Sequence, residues 1–209
     1  MRWVFHRPVS FWECVRWWLY ALVVSVLAAA HYRVEFRDRV PWERPWFWWR
    51  EADREEAMYR ALMGNDPVLA QRAAAALWEH WFSERGAAAR EQLETGLAAV
   101  RAGDWEIAEQ VLVELMNEHP DWAEAINGVA MLRYRQRRYA ESAALCRRVL
   151  ELKPRHFGAW SGLAHCAIHQ GDWALARFAC RQAMRVQPHE AEHRRVLHLV
   201  ELHIPALDV

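Results

Sequence analysis

At 209 residues the chain is long enough for one domain and an appendage, and its 54% hydrophobic content excludes wholesale disorder. Lysine plus arginine and aspartate plus glutamate each total 27, so no net field gathers nucleic acid or an anionic substrate. The four cysteines, Cys14, Cys146, Cys166 and Cys180, lack the spacing of a zinc, haem or redox motif and read as structural thiols.

Fourteen tryptophans, eight of them before residue 50, split the chain in two. From Trp17 to Tyr32 no residue is charged, and as a helix this stretch rises about 24 Å, short of a bilayer core of about 30 Å. Extension back to Val9 adds only Glu13 and Arg16, which share a helix face three residues apart and make a single span reachable. Residues 1–32 are therefore expected to form a tail and one transmembrane helix. Trp12, Trp17 and Trp18 stand at one end of it; Trp42, Trp46, Trp48 and Trp49 follow the other. Indoles favour the headgroup zone, so residues 33–50, ending in PWERPWFWWR, are expected to lie along the bilayer surface with arginines on lipid phosphates.

Two alternatives stay open for this segment. The tryptophans pack on the soluble domain, or Arg2, Arg7 and Arg16 with Ala28-Ala29-Ala30 form a signal peptide whose cleavage releases a soluble, secreted binder. With the anchor retained, a short basic N-terminal tail stays in the cytoplasm and sends the bulk of the protein to the periplasmic side of a bacterial inner membrane. Three further cysteines with no evident disulfide framework point instead to the cytoplasmic side.

Residues 51–63 and 67–84 read as two helices joined by Gly64-Asn65-Asp66-Pro67, a glycine stop followed by an N-cap and a proline at the first helical position. Beyond them a 34-residue period sets in. Pro120, Pro154 and Pro188 keep it, as do Gly103-Asp104-Trp105, Arg137-Arg138-Tyr139 and Gly171-Asp172-Trp173. Glycine closes a helix in the left-handed conformation, aspartate caps the next, and proline ends the second because it cannot continue the hydrogen-bond ladder. Between these marks the apolar residues recur with helical periodicity, as in Ala125, Ile126, Val129 and Leu132, then Ala143, Leu145, Cys146 and Val149.

This pattern resembles the tetratricopeptide repeat (TPR) family. In residues 157–190, Trp160, Leu163, Ala176, Ala183 and Pro188 fall on family positions, with Ala164 where glycine is usual. In residues 89–122, Gly96, Gly103, Ala108 and Pro120 do so. The middle repeat, 123–156, departs most, with Ser142 at the small crossing position and Arg137 at the turn glycine. Cys146 and Cys180 take the large-aromatic position, which implies buried thiols. The fold class implied is all-α: a solenoid of helical hairpins, with residues 51–88 as a degenerate hairpin at its N-terminal end and residues 191–209 as a capping helix and tail.

The resemblance also implies a concave groove, lined by the first helix of each repeat, that binds an extended peptide or partner helix. Leu93, Leu97, Arg101, Asn127, Met131, Tyr134, Arg135, Ser161, His165 and His169 map there. The basic clamp by which some chaperone-binding members grip an acidic C-terminus is not reproduced, since only Asn127 resembles its parts.

Two patterns suggest chemistry. His189-Glu190-Ala191-Glu192-His193 matches HExxH, a zinc hydrolase motif, but His189 directly follows Pro188 and stands in a turn. His165 and His169 have helical spacing, yet two ligands hold zinc weakly. Residues 104–124 hold seven acids and no lysine or arginine, whereas 133–155 hold eight bases, an arrangement that neighbouring helices neutralise or that orients a charged partner. The expectation is a non-enzymatic, membrane-anchored adaptor, without cofactor, metal, nucleic acid or small-molecule substrate. Its partners are the bilayer and a protein, and it serves as accessory subunit or assembly factor of a membrane complex. The zinc hydrolase and the cleaved, secreted binder are the alternatives.

Overall fold

In a computed structural model the described residues are 51–204. The expected membrane span, the interfacial tryptophans Trp12, Trp17, Trp18, Trp42, Trp46, Trp48 and Trp49, and the tail from Pro205 lie outside them. The chain divides into two compact units, Met1–Ala57 and Met58–Val209; of the first, the described residues hold only the opening turns of a helix. Nine α-helices follow one another among the described residues: α1 (Glu51–Leu62), α2 (Pro67–Phe82), α3 (Gly86–Ala102), α4 (Trp105–Glu118), α5 (Ala123–Arg135), α6 (Tyr139–Leu152), α7 (Phe157–Gln170), α8 (Trp173–Val186) and α9 (Ala191–Glu201). None of them is long and apolar enough to cross a membrane.

Helices α3 to α9 each pack on the next, and the first helices of successive pairs, α3 on α5 and α5 on α7, also touch. This is a solenoid, and its turns explain why a 34-residue period suffices. After α3 and α7, Gly103 (φ 80°) and Gly171 (φ 73°) take the left-handed conformation. The following aspartates send their N–H back to Ala99 O (3.0 Å) and Ala167 O (2.9 Å), then cap the next helix by accepting from Ile107 N and Leu175 N. The residues before the repeat prolines, His119, Lys153 and Gln187, share one non-helical conformation, φ −128°, −133° and −129°.

The middle repeat makes the same turn with other residues. Arg137 adopts φ 62° and Arg138 N donates to Arg133 O at 2.8 Å, so the backbone path is conserved without glycine. Arg138 provides no side-chain cap and pairs with Glu141 instead. A non-glycine residue in this region carries strain of about 1–2 kcal/mol. Arg137→Gly is therefore expected to raise stability by roughly 1 kcal/mol after the added unfolded-state entropy is subtracted, read as an upward shift of the urea midpoint. A lowered midpoint would show that the Arg137 side chain holds the turn.

Apolar residues fill the interior in two main clusters, one centred on Leu93, Leu112, Leu115 and Trp122, the other on Cys146, Leu163, Cys166 and Cys180. The buried thiols expected at Cys146 and Cys180 are present, and Cys166 joins them. Val196 and Val200 of α9 close the second cluster, so α9 does the work of a cap.

The upstream helices differ from expectation. Asp66 caps α2 as the sequence implied, accepting from Val68 N at 2.9 Å and Leu69 N at 3.1 Å. Yet α2 does not extend the stack by lying along α3. A bidentate ion pair from Arg90 to Glu79 ties the two helices near their junction, while the body of α2 reaches α5 and the start of α7. The reason is aromatic: Trp78, Trp81 and Phe82 form a stripe at i, i+3 and i+4, and the apolar surface that receives it lies at the beginnings of α5 and α7.

Candidate partner-binding groove

Between α3, α5 and α7 lies a cavity of about 340 Å³. Arg101, Asn127, Met131, Tyr134, Arg135, Ser161 and His165, all expected at a groove, border it together. Three expected residues do not. Leu93 and Leu97 are buried in the core (0% and 8% exposed), where Phe82 packs against their cluster and Leu93 reaches across the space left by Gly128. His169 is exposed outside the cavity, its ring stacked on Tyr139 (4.3 Å, 3°), with the Tyr134 hydroxyl 3.1 Å from its Nε2. Burial holds the His165 imidazole below its usual pKa, so it is more readily neutral than a solvated histidine.

Sequence reasoning missed Trp78, Val100, Ala130, Ser142, Cys146, Gly158 and Gly162, which complete the wall. Trp78 left a signal: an indole three residues before Trp81 on an alanine-rich helix is more aromatic surface than one hairpin consumes. Its ring lies so close to Gly158 that a Cβ there would stand 2.6 Å from Trp78 Cη2. Cys166 lies behind the wall that Cys146 helps to line. The Cys166 thiol donates to Ser142 Oγ at 3.2 Å, and Ser142 donates to Ala130 O at 2.8 Å. Burial pushes the separate Cys180 thiol up to about 11.

One end of the groove is built on a buried polar pair. His156 (0% exposed) caps α7 by accepting the Ala159 N–H on Nδ1 at 2.9 Å. The ring proton therefore resides on Nε2, which donates to Glu124 Oε1 at 2.6 Å. Trp81 stacks on the imidazole at 4.5 Å and 19°, Trp78 meets it edge-on at 5.4 Å, and Trp122 Nε1 donates to the Trp81 carbonyl at 2.9 Å. Lys153 completes the seam by pairing with Glu84 at 2.6 Å. Both imidazole nitrogens are committed, leaving no lone pair for a general base.

The HExxH segment is not assembled as a zinc site. Helix α9 begins at Ala191, after His189, whose Nε2 bonds Gly64 O at 2.7 Å; His193 Nε2 lies 3.2 Å from Gln187 Oε1, and Glu190 caps the helix by accepting from Glu192 N. Among the described residues no group of three or more His, Cys, Asp or Glu is placed to hold a metal ion. The segregated charges neutralise in part across helices: Arg133 grips Glu109 in a bidentate pair that keeps the carboxyl well ionised, and Arg85 pairs with Asp121 at 2.7 Å.

Family models described as tetratricopeptide repeat match residues 93–156 and 133–198, which together run through about half of the chain. The chain carries tetratricopeptide repeats. TPR domains of known structure are similar to it in fold. The first TPR domain of human RPAP3 superposes with a TM-score of 0.53 at 16% identity, covering 55% of this chain and 91% of that one. For the Sgt2 TPR domain from Aspergillus fumigatus the values are 0.52, 16%, 58% and 87%; for the TPR2B domain of yeast Sti1, solved as a complex with pHsp70, they are 0.52, 19%, 56% and 98%. No curated protein matches the sequence.

Proposed function

We propose that this TPR protein is a non-enzymatic adaptor that seats a segment of another polypeptide in the groove between α3, α5 and α7. The observation that carries this reading is the cavity itself. Met131, Tyr134 and Trp78 supply apolar wall, and Arg101, Asn127, Ser161 and His165 supply polar contacts, the mixture that orients a bound chain. The TPR2B domain of yeast Sti1, similar in fold, has been solved with pHsp70, which supports a polypeptide ligand. The apolar run from Trp17 to Tyr32 and its flanking indoles motivate the rest of the proposal: the adaptor is a single-pass protein of a bacterial inner membrane. Its TPR region works on the periplasmic side, as accessory subunit or assembly factor of a membrane complex.

A photoreactive amino acid at Met131, 40% exposed at the cavity, tests the groove in intact membranes. We expect a discrete crosslinked polypeptide that disappears in a Ser161→Trp background, where the indole fills the cavity. Crosslinks that persist there would place the partner elsewhere. Alkaline carbonate tests the anchor separately: a full-length chain that washes off the membrane would end that part of the proposal.

A further inference from the structure

We propose that the segment seated in this groove is internal, extended and acidic, with two carboxylates two residues apart that meet Arg101 and Arg135; this rests on the adaptor reading above. The two arginines stand 34 residues apart, at the same position of successive repeats, each in the last turn of a groove-lining helix. Both are exposed, both border the cavity, and no carboxylate among the described residues pairs with either.

Arg137, Arg147 and Arg177 also lack a carboxylate partner among the described residues, but none of them borders the cavity. Arg90, Arg133, Arg138 and Arg195 have each taken a carboxylate, and Arg133 lies only two residues from Arg135. The helix dipole accounts for a cation in the last turn, but not for two cations left uncommitted at the edge of the same apolar hollow. A guanidinium favours planar, bidentate recognition of carboxylate, so the complementary ligand group is Asp or Glu.

Spacing defines the ligand further. Helices α3 and α5 pack directly, which sets their axes roughly 8–10 Å apart. An extended chain rises about 3.3 Å per residue and alternates its side chains, so two long acidic side chains two residues apart share a face and reach both cations. A large apolar side chain on the opposite face of that stretch fits the hollow walled by Met131, Tyr134 and Trp78. A terminal carboxylate brings one charge to one point. Two guanidinium groups a full repeat apart instead ask for two charges along the chain, which sets this arrangement apart from capture of a C-terminus.

The test is selection from a library of random dodecapeptides displayed at the N-terminus of a phage coat protein, where no peptide has a free C-terminus. The bait is the immobilised full chain. We expect peptides enriched in paired acids around a large apolar residue, that enrichment lost with Arg101→Ala/Arg135→Ala, and a switch to basic peptides with Arg101→Glu/Arg135→Glu. A selected peptide should bind the double alanine variant at least ten-fold more weakly in fluorescence anisotropy, with a flatter salt dependence. Because both side chains are exposed and unpaired, far-UV circular dichroism should not change. Neutral peptides whose capture Ser161→Trp abolishes would overturn the acidic ligand and leave the groove standing. Acidic peptides indifferent to both arginine variants would also overturn it. No enrichment, or capture that Ser161→Trp does not affect, would sink the groove reading along with it.

Discussion

Trp81→Ala is expected to cost roughly 3–5 kcal/mol of folding free energy, the range for emptying a fully buried tryptophan site, and to release α2 from the repeats. The ring is 0% exposed and touches His156, Trp78, Phe157 and Tyr59, so no neighbour can collapse into the space without losing its own contacts. The backbone carbonyl that accepts from Trp122 Nε1 survives the substitution. The loss is therefore one of packing and stacking. Urea titration of the full chain should show a lower midpoint and, if α2 is already detached before unfolding, a smaller m. Hydrogen exchange should speed up across residues 67–82 while α8 keeps its protection. A cost below about 1 kcal/mol with α2 still protected would mean that the helix is held by something other than its indoles.

His156 and Glu124 should answer substitution unequally. His156→Ala leaves the Glu124 carboxylate with only the long 3.5 Å contact from Asn127 Nδ2, removes the cap on α7 and takes away the surface on which Trp81 stacks; about 3–5 kcal/mol is expected, the scale of a broken buried pair. Glu124→Ala leaves only a neutral Nε2–H without an acceptor, worth about 1–3 kcal/mol. Glu124→Gln keeps a carbonyl oxygen where the Nε2 proton points and should lose less than about 1.5 kcal/mol. The order His156→Ala, then Glu124→Ala, then Glu124→Gln follows from the proton residing on Nε2. Equal losses for the two glutamate variants would contradict it, as would a nitrogen spectrum showing the His156 proton on Nδ1.

Much of the solenoid was legible because its signals are local. Gly103-Asp104, Gly171-Asp172 and the three prolines act within one turn of chain, and a 34-residue period repeats them. Even Arg137 was marked as the departure at the turn, and the structure shows the backbone imposing the left-handed conformation on it. The groove was legible in part for the same reason: Asn127, Met131, Ser161 and His165 inherit their places from the repeat. Leu93 and Leu97 are instead buried in a core cluster against which Phe82 of α2 packs, a contact from outside the repeats that periodicity within them cannot register. The His156–Glu124–Trp81 cluster was invisible for a related reason. Its members come from three different helix boundaries, and a histidine, a glutamate and a tryptophan each look ordinary until long-range packing brings them together.

Stacked hairpins that touch only their neighbours tend to fray from the ends, each unit melting at its own threshold. Helix α2 breaks that rule, because it is fastened near Arg90 at one end of the array and to Phe157 and Gly158 two hairpins further on. Opening the first hairpin then strains the third. The array should lose its structure as one cooperative body, and a partner bound across α3, α5 and α7 would meet a surface whose curvature is already fixed.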